Sequence, residues 1–308
     1  MKGVKRPRIT VVGSLNMDFV VTTPRVPLPG ETVLGTRFST IPGGKGNNQA
    51  IACARLGAEV TFIGCVGDDT FGHQLINNLN NENIHTQHIE FLPHVNTGVA
   101  TIIVGGGENK IVVVPGANNY LTPNKVEKKA DIIKYADIVL LQLEIPLETV
   151  IRTVEIAAAH EVPVILNPAP STELPEGLFE KVSVFTPNEH ELSGMFGNSN
   201  IRSRNPQQLM KLFPEKIIMT RGNKGAYFTD KKGHVVHVPS FPVDVVDTTG
   251  AGDSFNAGLA VMLSQGKSLF EATKFAVAVG ALSVTKFGAQ GGMPTYNEVV
   301  QFIKSRRD

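Results

Sequence analysis

Residues 247–255, with the sequence DTTGAGDSF, form the segment best suited to do chemistry. Glycines at 250 and 252 let backbone N–H groups turn toward one point, and an apolar pattern from residue 256 predicts a buried helix. The N-terminus of that helix would add unpaired N–H donors and the positive end of its dipole. We therefore predict an anion hole built from the backbone of Gly250, Ala251, Gly252 and Asp253.

Asp253 is the carboxylate inside this segment. A carboxylate beside a bound anion repels it unless the carboxylate serves the reaction, for example as a general base for a substrate hydroxyl. Aspartate is also a common cap at the start of a helix, so both roles stay open for Asp253 at this point. Residues 243–246, just ahead of the segment, include three valines and predict the end of a strand.

A second glycine-rich segment, residues 41–50, has the sequence IPGGKGNNQA and runs into a pattern of small residues that stops at Gly57. This pattern predicts a loop followed by a helix with a glycine at its end. The spacing differs from that of a Walker A loop and from the GxGxxG dinucleotide fingerprint. By itself the segment is more typical of a tight turn with a solvated lysine.

Length and composition favour one large domain that acts on a small molecule. The chain has 308 residues, 42% hydrophobic content and a net charge of +1, which gives no sign of nucleic-acid or anionic-membrane binding. Its apolar runs are too short for a membrane-spanning helix or a signal peptide. Cys53 and Cys65 are too few for a disulfide framework, so we expect buried thiols in a cytoplasmic protein.

Short β-branched segments alternate with longer helical patterns, which is typical of a parallel sheet with crossover helices. The predicted strands span residues 8–12, 59–65, 138–143, 162–166, 182–185, 216–219 and 226–229. The predicted helices span residues 47–56, 70–82, 123–134, 147–160, 188–196, 206–213, 253–265, 269–286 and 295–304. We therefore predict an α/β fold with one doubly wound, mostly parallel sheet and flanking helices, in a single domain over residues 1–308.

Two regions, at about 16–40 and 97–115, do not follow this alternation. Each predicts a pair of strands with no helix between them, and residues 105–109 supply a hairpin turn. These strands predict a small β-sheet lid. One face of such a sheet would be exposed unless it covers a site or meets a second copy of itself.

Together, residues 44–67 and 247–258 resemble the two signature patterns of the ribokinase-like carbohydrate kinases. Further motifs of that family follow in its order, at residues 13–18, 167–170, 186–191, 220–225 and 288–290. The resemblance covers the whole chain and implies ATP-dependent phosphorylation of a sugar, with Mg²⁺ as cofactor and K⁺ as activator. The combined GSxNxD, GGKGxNQA and NPAP patterns imply D-ribose, phosphorylated at its 5-hydroxyl.

The resemblance also implies a role for each matching residue, with Asp253 as the general base. The implied sugar-binding residues are Asn16, Asp18, Gly43, Gly44, Lys45, Asn48, Glu144 and Asp253. The implied ATP-binding residues are Asn188, Thr220, Gly222, Gly250, Ala251 and Gly252, with Asn188 and Glu191 associated with magnesium. The implied monovalent-cation site consists of Asp247, Thr249, Ser283, Lys286, Gly288 and Gly292.

Several of these residues have plainer interpretations. Without the resemblance, Asn16 and Asp18 favour an Asx turn, Glu144 a solvated charge at a strand end, and Asn188 a helix cap. The sequence also departs from the family pattern at Gly292, where serine is frequent, and at Val277, where asparagine or histidine is frequent near adenine.

The resemblance further implies that the lid covers the sugar and joins two subunits into a homodimer. Two alternative functions stay open. One is another kinase of the same family, acting on deoxyribose, a nucleoside, fructose or a keto-sugar acid. The other is a catalytically silent sugar-binding protein, although such a protein would have no reason to keep Asp253 and the surrounding glycines.

Overall fold

The structure is a computed structural model that describes residues 6–197 and 199–306. The predicted domain of residues 1–308 therefore extends past the described residues at both ends. The strands are β1 (Arg8–Val12), β2 (Asn16–Thr22), β3 (Arg37–Gly43), β4 (Glu59–Gly67), β5 (His85–Leu92), β6 (Gly98–Gly105), β7 (Glu108–Val114), β8 (Ile138–Leu141), β9 (Val164–Leu166), β10 (Val184–Phe185), β11 (Ile218–Thr220), β12 (Ala226–Thr229) and β13 (Val235–Val238).

The helices are α1 (Lys45–Arg55), α2 (Thr70–Asn81), α3 (Pro123–Glu127), α4 (Ala130–Lys134), α5 (Leu147–Ala159), α6 (Glu176–Lys181), α7 (Glu189–Gly194), α8 (Ser199–Arg202), α9 (Pro206–Met210), α10 (Ala251–Ser264), α11 (Leu269–Ser283) and α12 (Tyr296–Lys304). No helix among the described residues is long and apolar enough to cross a membrane.

The central sheet has six parallel strands in the order β10-β9-β8-β1-β4-β5. Its inner strands are continuous apolar runs, because helices cover both faces of the sheet. The strand order reverses between β1 and β8, and ligands of such sheets bind beyond the carboxyl ends of the strands at this switch point. We therefore expect a ligand site at the loops after β1 and β8.

A second sheet forms the lid, in the order β3-β2-β6-β7. The β2–β3 and β6–β7 pairs are antiparallel, whereas β2 and β6 run parallel. Strand β2 begins shortly after β1 ends, and β3 leads through Gly44 directly into α1. The lid is thus attached at the carboxyl edge of the central sheet.

The predicted fold class is confirmed, but three local predictions are wrong. Strand β12 pairs antiparallel with both β11 and β13 in a separate three-stranded sheet, whereas we expected β11 and β12 in the parallel one. Residues 123–134 form two short helices instead of one. Residues 243–246 form no strand, since they follow Pro242 and the Val246 N–H donates to the carbonyl of Val284 (2.8 Å).

The apolar core lies on the two faces of the central sheet. One cluster joins β1 to α1, α10 and α11, and the other joins the opposite face to α5 and the helices after it. Cys53 and Cys65 are free and buried in these clusters, as expected, and burial raises the pKa of the Cys65 thiol to about 11. Both thiols are inert packing groups at neutral pH.

Candidate active site

The switch point between β1 and β8 brings Ser14 and Glu144 together. The Ser14 hydroxyl donates to Glu144 Oε2 (2.6 Å), and the backbone N–H of Lys45 donates to the same oxygen (2.9 Å). Glu144 is therefore held at the start of α1 and is not a freely solvated charge. Three segments that are distant in sequence meet at this carboxylate.

Asn16 and Asp18 lie in strand β2, so neither forms the Asx turn that the residues alone favoured. The Oδ1 atom of Asn16 accepts a hydrogen bond from Asn118 Nδ2 (2.8 Å). Asp18 packs against Gly43, where an added Cβ atom would lie 2.2 Å from Asp18 Oδ2. A side chain at position 43 would therefore force this carboxylate to move.

Burial raises the pKa of Asp18 to about 7, with further contributions from Glu144 and Asp253. Lys45, in the first turn of α1, lowers it again. Although burial opposes this effect, Asp253, Glu144, Glu191 and Asp18 together raise the pKa of the Lys45 ammonium. Lys45 is thus a half-buried lysine whose positive charge interacts with these carboxylates, and not a freely solvated one.

Asp253 lies in the first turn of α10 but does not cap it. The capping position is held by Gly250, at φ 77°, with no side-chain cap bond. The Asp253 carboxylate accepts hydrogen bonds from Asn48 Nδ2 and Gln49 Nε2, each 3.1 Å long. Burial raises its pKa to about 6, while Lys45, Asn48 and Gln49 oppose the rise. Near neutral pH this carboxyl group is mostly ionised.

A small cavity of 220 Å³ lies directly in front of the α10 N-terminus. The predicted residues that line it are Lys45, Asn188, Glu191, Thr220, Gly250, Ala251, Gly252 and Asp253. The N–H of Ala251 makes a long bond to the Thr248 carbonyl (3.3 Å). The other first-turn N–H groups have no acceptor within the helix and can face an anion in the cavity.

Asn188 and Glu191 form a capping box at the start of α7. Asn188 Oδ1 accepts from the N–H groups of His190 and Glu191, and Glu191 Oε2 accepts from the Asn188 N–H (2.8 Å). The helix cap that the residues alone favoured is therefore present. Burial raises the pKa of Glu191, which still faces the cavity and Lys45.

The predicted cation site is only partly assembled from side chains. The Asp247 carboxylate accepts hydrogen bonds from Thr249 N–H and Oγ1 and from Gly288 N–H. Burial alone would raise the pKa of Asp247, but these hydrogen bonds outweigh it and hold the pKa below its usual range. Gly292 lies against Ser283, and a Cβ at 292 would be 1.8 Å from the Ser283 carbonyl oxygen. The departure from serine at this position therefore has a steric reason in this chain.

Two predicted residues lie apart from these clusters. Lys286 is exposed beside the cation loop, and Gly222 starts a 3₁₀ turn at φ 53° without lining the small cavity. A larger cavity of 640 Å³ opens between the lid and residues 245–249, and Asp18 lies on its wall.

Sequence reasoning missed several amide side chains that support the site. Gln49 donates to Asp253 itself, Gln142 donates to Gln49, Asn118 donates to Asn16, and the half-buried Gln290 donates to Asn48. Gln49 stood next to Asn48 in a predicted helix, and its polarity at a buried position was the one available signal. The others reach the site only through contacts between distant parts of the chain.

A parallel α/β sheet with a buried carboxylate at its switch point, beside a helix N-terminus that can hold an anion, is the arrangement expected of a phosphotransferase of small molecules. The chain belongs to the pfkB family of carbohydrate kinases, whose model matches residues 6–296. The predicted family and enzyme class are thereby confirmed.

Individual relatives extend this match over nearly the whole chain. A ribokinase of Bacillus subtilis is 46% identical over 295 residues, covering 96% of this chain and 99% of that protein. A deoxyribokinase of Salmonella typhi is 37% identical over 302 residues, covering 96% and 98%. The solved Arabidopsis thaliana ribokinase, complexed with ribose and ATP, superposes with a TM-score of 0.87 at 32% identity, covering 97% and 99%.

Proposed function

We propose that this protein transfers the γ-phosphoryl group of ATP to the 5-hydroxyl of D-ribose, giving ribose 5-phosphate and ADP. The observation that carries the proposal is the position of Asp253, an ionisable buried carboxylate between the sugar-side carboxylates and the α10 N-terminus. The match to ribokinases over nearly the full chain supports ribose as the acceptor.

In this mechanism the sugar lies between Asn16, Asp18 and Glu144, with Gly43, Gly44 and Asn48 on its other side. Asp253 accepts the proton of the 5-hydroxyl as the oxygen attacks the γ-phosphorus, and the bond from that phosphorus to the β-phosphate oxygen breaks. The N–H groups at the start of α10 bind the charge that develops on the phosphoryl oxygens. Thr220 and Gly222 lie on the nucleotide side.

We propose that Mg²⁺ enters with ATP and is held through water by Asn188 and Glu191. Within residues 6–197 and 199–306, no three His, Cys, Asp or Glu side chains are arranged to hold a metal by themselves. Glu191 uses Oε2 in the capping box, so Oε1 is the oxygen that would hold Mg²⁺ through water. Bound Mg²⁺ neutralises charge on the β- and γ-phosphates.

We also propose that K⁺ binds beside Asp247, Thr249, Ser283, Lys286, Gly288 and Gly292, mainly through backbone carbonyls, and stabilises the loop that ends at Gly250. Replacing potassium by a bulky organic cation should then lower kcat by about 2- to 10-fold, a loop-positioning effect smaller than the loss of a catalytic group. Equal rates in the two salts would refute this site.

The lid is proposed to join two copies of the chain into a homodimer. Every residue of β7 is exposed, including Ile111 at 54%, Val112 at 65% and Val114 at 55%, on an edge strand that would otherwise leave apolar side chains in water. A Val112→Lys variant should elute as a monomer in size-exclusion chromatography.

Free thiols and an ATP substrate further support a cytoplasmic location.

The substrate is tested by incubating the protein with ATP, Mg²⁺ and a panel of ribose, 2-deoxyribose, fructose, nucleosides and keto-sugar acids. We expect the highest kcat/KM with ribose and a product phosphorylated at the 5-position. A higher kcat/KM with 2-deoxyribose would move the assignment to the deoxyribokinase relatives. No turnover with any acceptor would favour a silent sugar-binding protein.

A further inference from the structure

We propose that Gln290 is a positioning residue for Asp253, acting through Asn48; this inference rests on the proposed role of Asp253 as the base. Gln290 lies in the loop between α11 and α12, far in sequence from the residues it orients. Its side chain forms one link in a chain of amides, Asn78–Gln290–Asn48, that ends at the Asp253 carboxylate.

The amide chain is continuous in hydrogen bonds. Asn78 Nδ2 donates to Gln290 Oε1 (2.9 Å), and Gln290 Nε2 donates to Asn48 Oδ1 (3.1 Å). Asn48 Nδ2 then donates to Asp253 Oδ2 (3.1 Å). The chain runs from helix α2, which lies outside the site, to the buried carboxylate in α10.

The direction of these bonds follows from chemistry. An ionised carboxylate only accepts, so the Asn48 side chain must turn its NH₂ group toward Asp253 and its oxygen away. That oxygen needs a donor, which Gln290 supplies with its own NH₂ group, and the Gln290 oxygen in turn accepts from Asn78. Gln290 therefore holds Asn48 in the one amide orientation that donates to the base.

A second, independent arm reaches the other carboxylate oxygen. Gln142 Nε2 donates to Gln49 Oε1 (2.7 Å), and Gln49 Nε2 donates to Asp253 Oδ1 (3.1 Å). Gln49 and Gln142 are both fully buried, whereas Gln290 is half-buried. Losing the Gln290 arm alone should weaken the hold on Asp253 without abolishing it.

The loop that carries Gln290 is fixed to the same helix as Asn48. Arg55, at the end of α1, donates to the backbone carbonyls of Gln290 and Met293 and pairs with Glu82. Helix α1 thus contacts the loop at Arg55 and receives the Gln290 side chain at Asn48. This double contact fixes the donor at the distance that the amide chain requires.

Three other charged groups interact with Asp253 and affect its pKa. They are Lys45 in α1, Glu144 after β8 and Asp18 in β2. None of them contacts Gln290, whose side chain is neutral. A neutral substitution at 290 therefore changes the hydrogen bonds to Asp253 without adding a charge.

The test compares Gln290→Met, which removes the donor without a charge, with Gln290→Glu, which presents an acceptor to Asn48 Oδ1. A hydrogen bond to the ionised form lowers a carboxylate pKa, so its loss should move the acid limb of the kcat profile to higher pH, by about 0.5–1 unit. We expect kcat at pH 6.5 to fall about 1.5- to 3-fold in Gln290→Met and further in Gln290→Glu. Recovery near pH 8.5 and KM values for ribose and ATP within about twofold of wild type should accompany the loss.

Asn77→Asp is the matched control, since Asn77 is exposed on α2 next to Asn78 and should keep the wild-type profile. Asn78→Asp is the second variant: it offers an acceptor to Gln290 Oε1 and should shift the acid limb in the same direction even if Gln290 variants fold poorly. A wild-type acid limb in both Gln290→Met and Asn78→Asp would overturn the proposal. So would an equal loss of kcat at every pH together with a lower Tm.

Asp253→Asn is measured beside these variants. If it loses turnover while Gln290→Met behaves like wild type, the positioning role is wrong and the proposed function stands. If Asp253→Asn itself keeps near-normal turnover and the acid limb, the base has been misassigned, and the failure lies with the proposed function.

Discussion

The two halves of the candidate site are built from different parts of the polypeptide. The proposed sugar half consists mainly of side chains, with the Asp18 and Glu144 carboxylates close enough to Lys45 to interact with its charge. The nucleotide half consists mainly of backbone, at the start of α10, where Gly250 and Gly252 leave the N–H groups uncovered. One half depends on which residues are present, and the other on the path of the chain.

This difference separates selectivity from anion binding. Buried side chains that pair with individual hydroxyls reject an analogue that leaves one of them unpaired. Backbone N–H groups bind any phosphate of the right shape, because nearly every residue type carries this donor. Substitutions in the sugar half should therefore change substrate choice, whereas the nucleotide half should respond only when a new atom enters it or its path is altered.

The largest effect is expected at the boundary between the halves. Asp253→Asn keeps the shape of the side chain but removes the base, so kcat should fall by about 10²–10⁴. Binding of ribose and ATP should stay near wild type in calorimetry, because neither half has lost its contacts. A variant with normal turnover would mean that Asp253 only completes the buried hydrogen-bond network.

The next effect belongs to the sugar half alone. Asp18→Ala should lower kcat/KM for ribose by about 10² or more, since a buried site then lacks a hydroxyl acceptor. The KM for ATP should change less than about threefold, as the nucleotide half does not include Asp18. If steady-state kinetics showed a comparable loss of kcat/KM for ribose and for ATP, the proposed division between the halves would be wrong.

The pH dependence should follow the two raised carboxylate pKa values. Protonation of Asp18, with a pKa of about 7, and of Asp253, with a pKa of about 6, removes a sugar acceptor and the base as the pH falls. We expect kcat/KM for ribose to be maximal above pH 7 and to fall about tenfold between pH 7 and pH 6. A flat profile between pH 5.5 and 8 would show that both groups stay ionised in the free enzyme.

The same shifts affect stability with a defined sign. Because the folded pKa values lie above those of the unfolded chain, the folded state binds more protons between about pH 4 and 7, so the free energy of unfolding falls as the pH rises through this window. The two buried carboxylates therefore lower the free energy of unfolding at neutral pH, as residues of a binding site often do.

The smallest effect is expected from a pair of glycines in the nucleotide half. A Cβ at Gly252 meets no protein atom within 4 Å, and Gly252 lines the small cavity, so Gly252→Ala should raise the KM for ATP about 3- to 10-fold without loss of stability. Gly250→Ala instead places alanine at φ 77° and 3.0 Å from Ala289, which should cost about 1–2 kcal/mol of stability. Thermal unfolding and ATP kinetics of both variants measure the contrast; equal Tm losses would contradict it.

The sequence was informative wherever a motif is contiguous. The glycine-rich segments predicted α1, α10 and the backbone of the nucleotide half, because glycine spacing constrains the chain locally. Strand β5 was missed, since HTQHIEFL alternates polar residues at the edge of the sheet and lacks an apolar run. Strands β11 and β12 were found, but no local signal assigns a strand to one of two sheets.

The supports of the site could not be predicted for a different reason. Asn118 reaches Asn16 across 102 positions, and Gln290 reaches Asn48 across 242. Buried glutamines and asparagines have no spacing rule, because their partners are set by how whole elements pack. The site residues themselves remain predictions until the variants are measured.

The attachment of the lid also matters for how this protein can change over time. Strand β2 leaves the core at Asn16 and Asp18, and β3 returns to it at Gly43 and Gly44, so the junctions of this strand pair are themselves residues of the proposed sugar half. A recombination event that exchanged the lid would exchange sugar contacts with it. The lid is therefore not a transferable module: its outer surface can diversify by single substitutions, but the two junctions of the β2–β3 pair carry residues of the proposed sugar half.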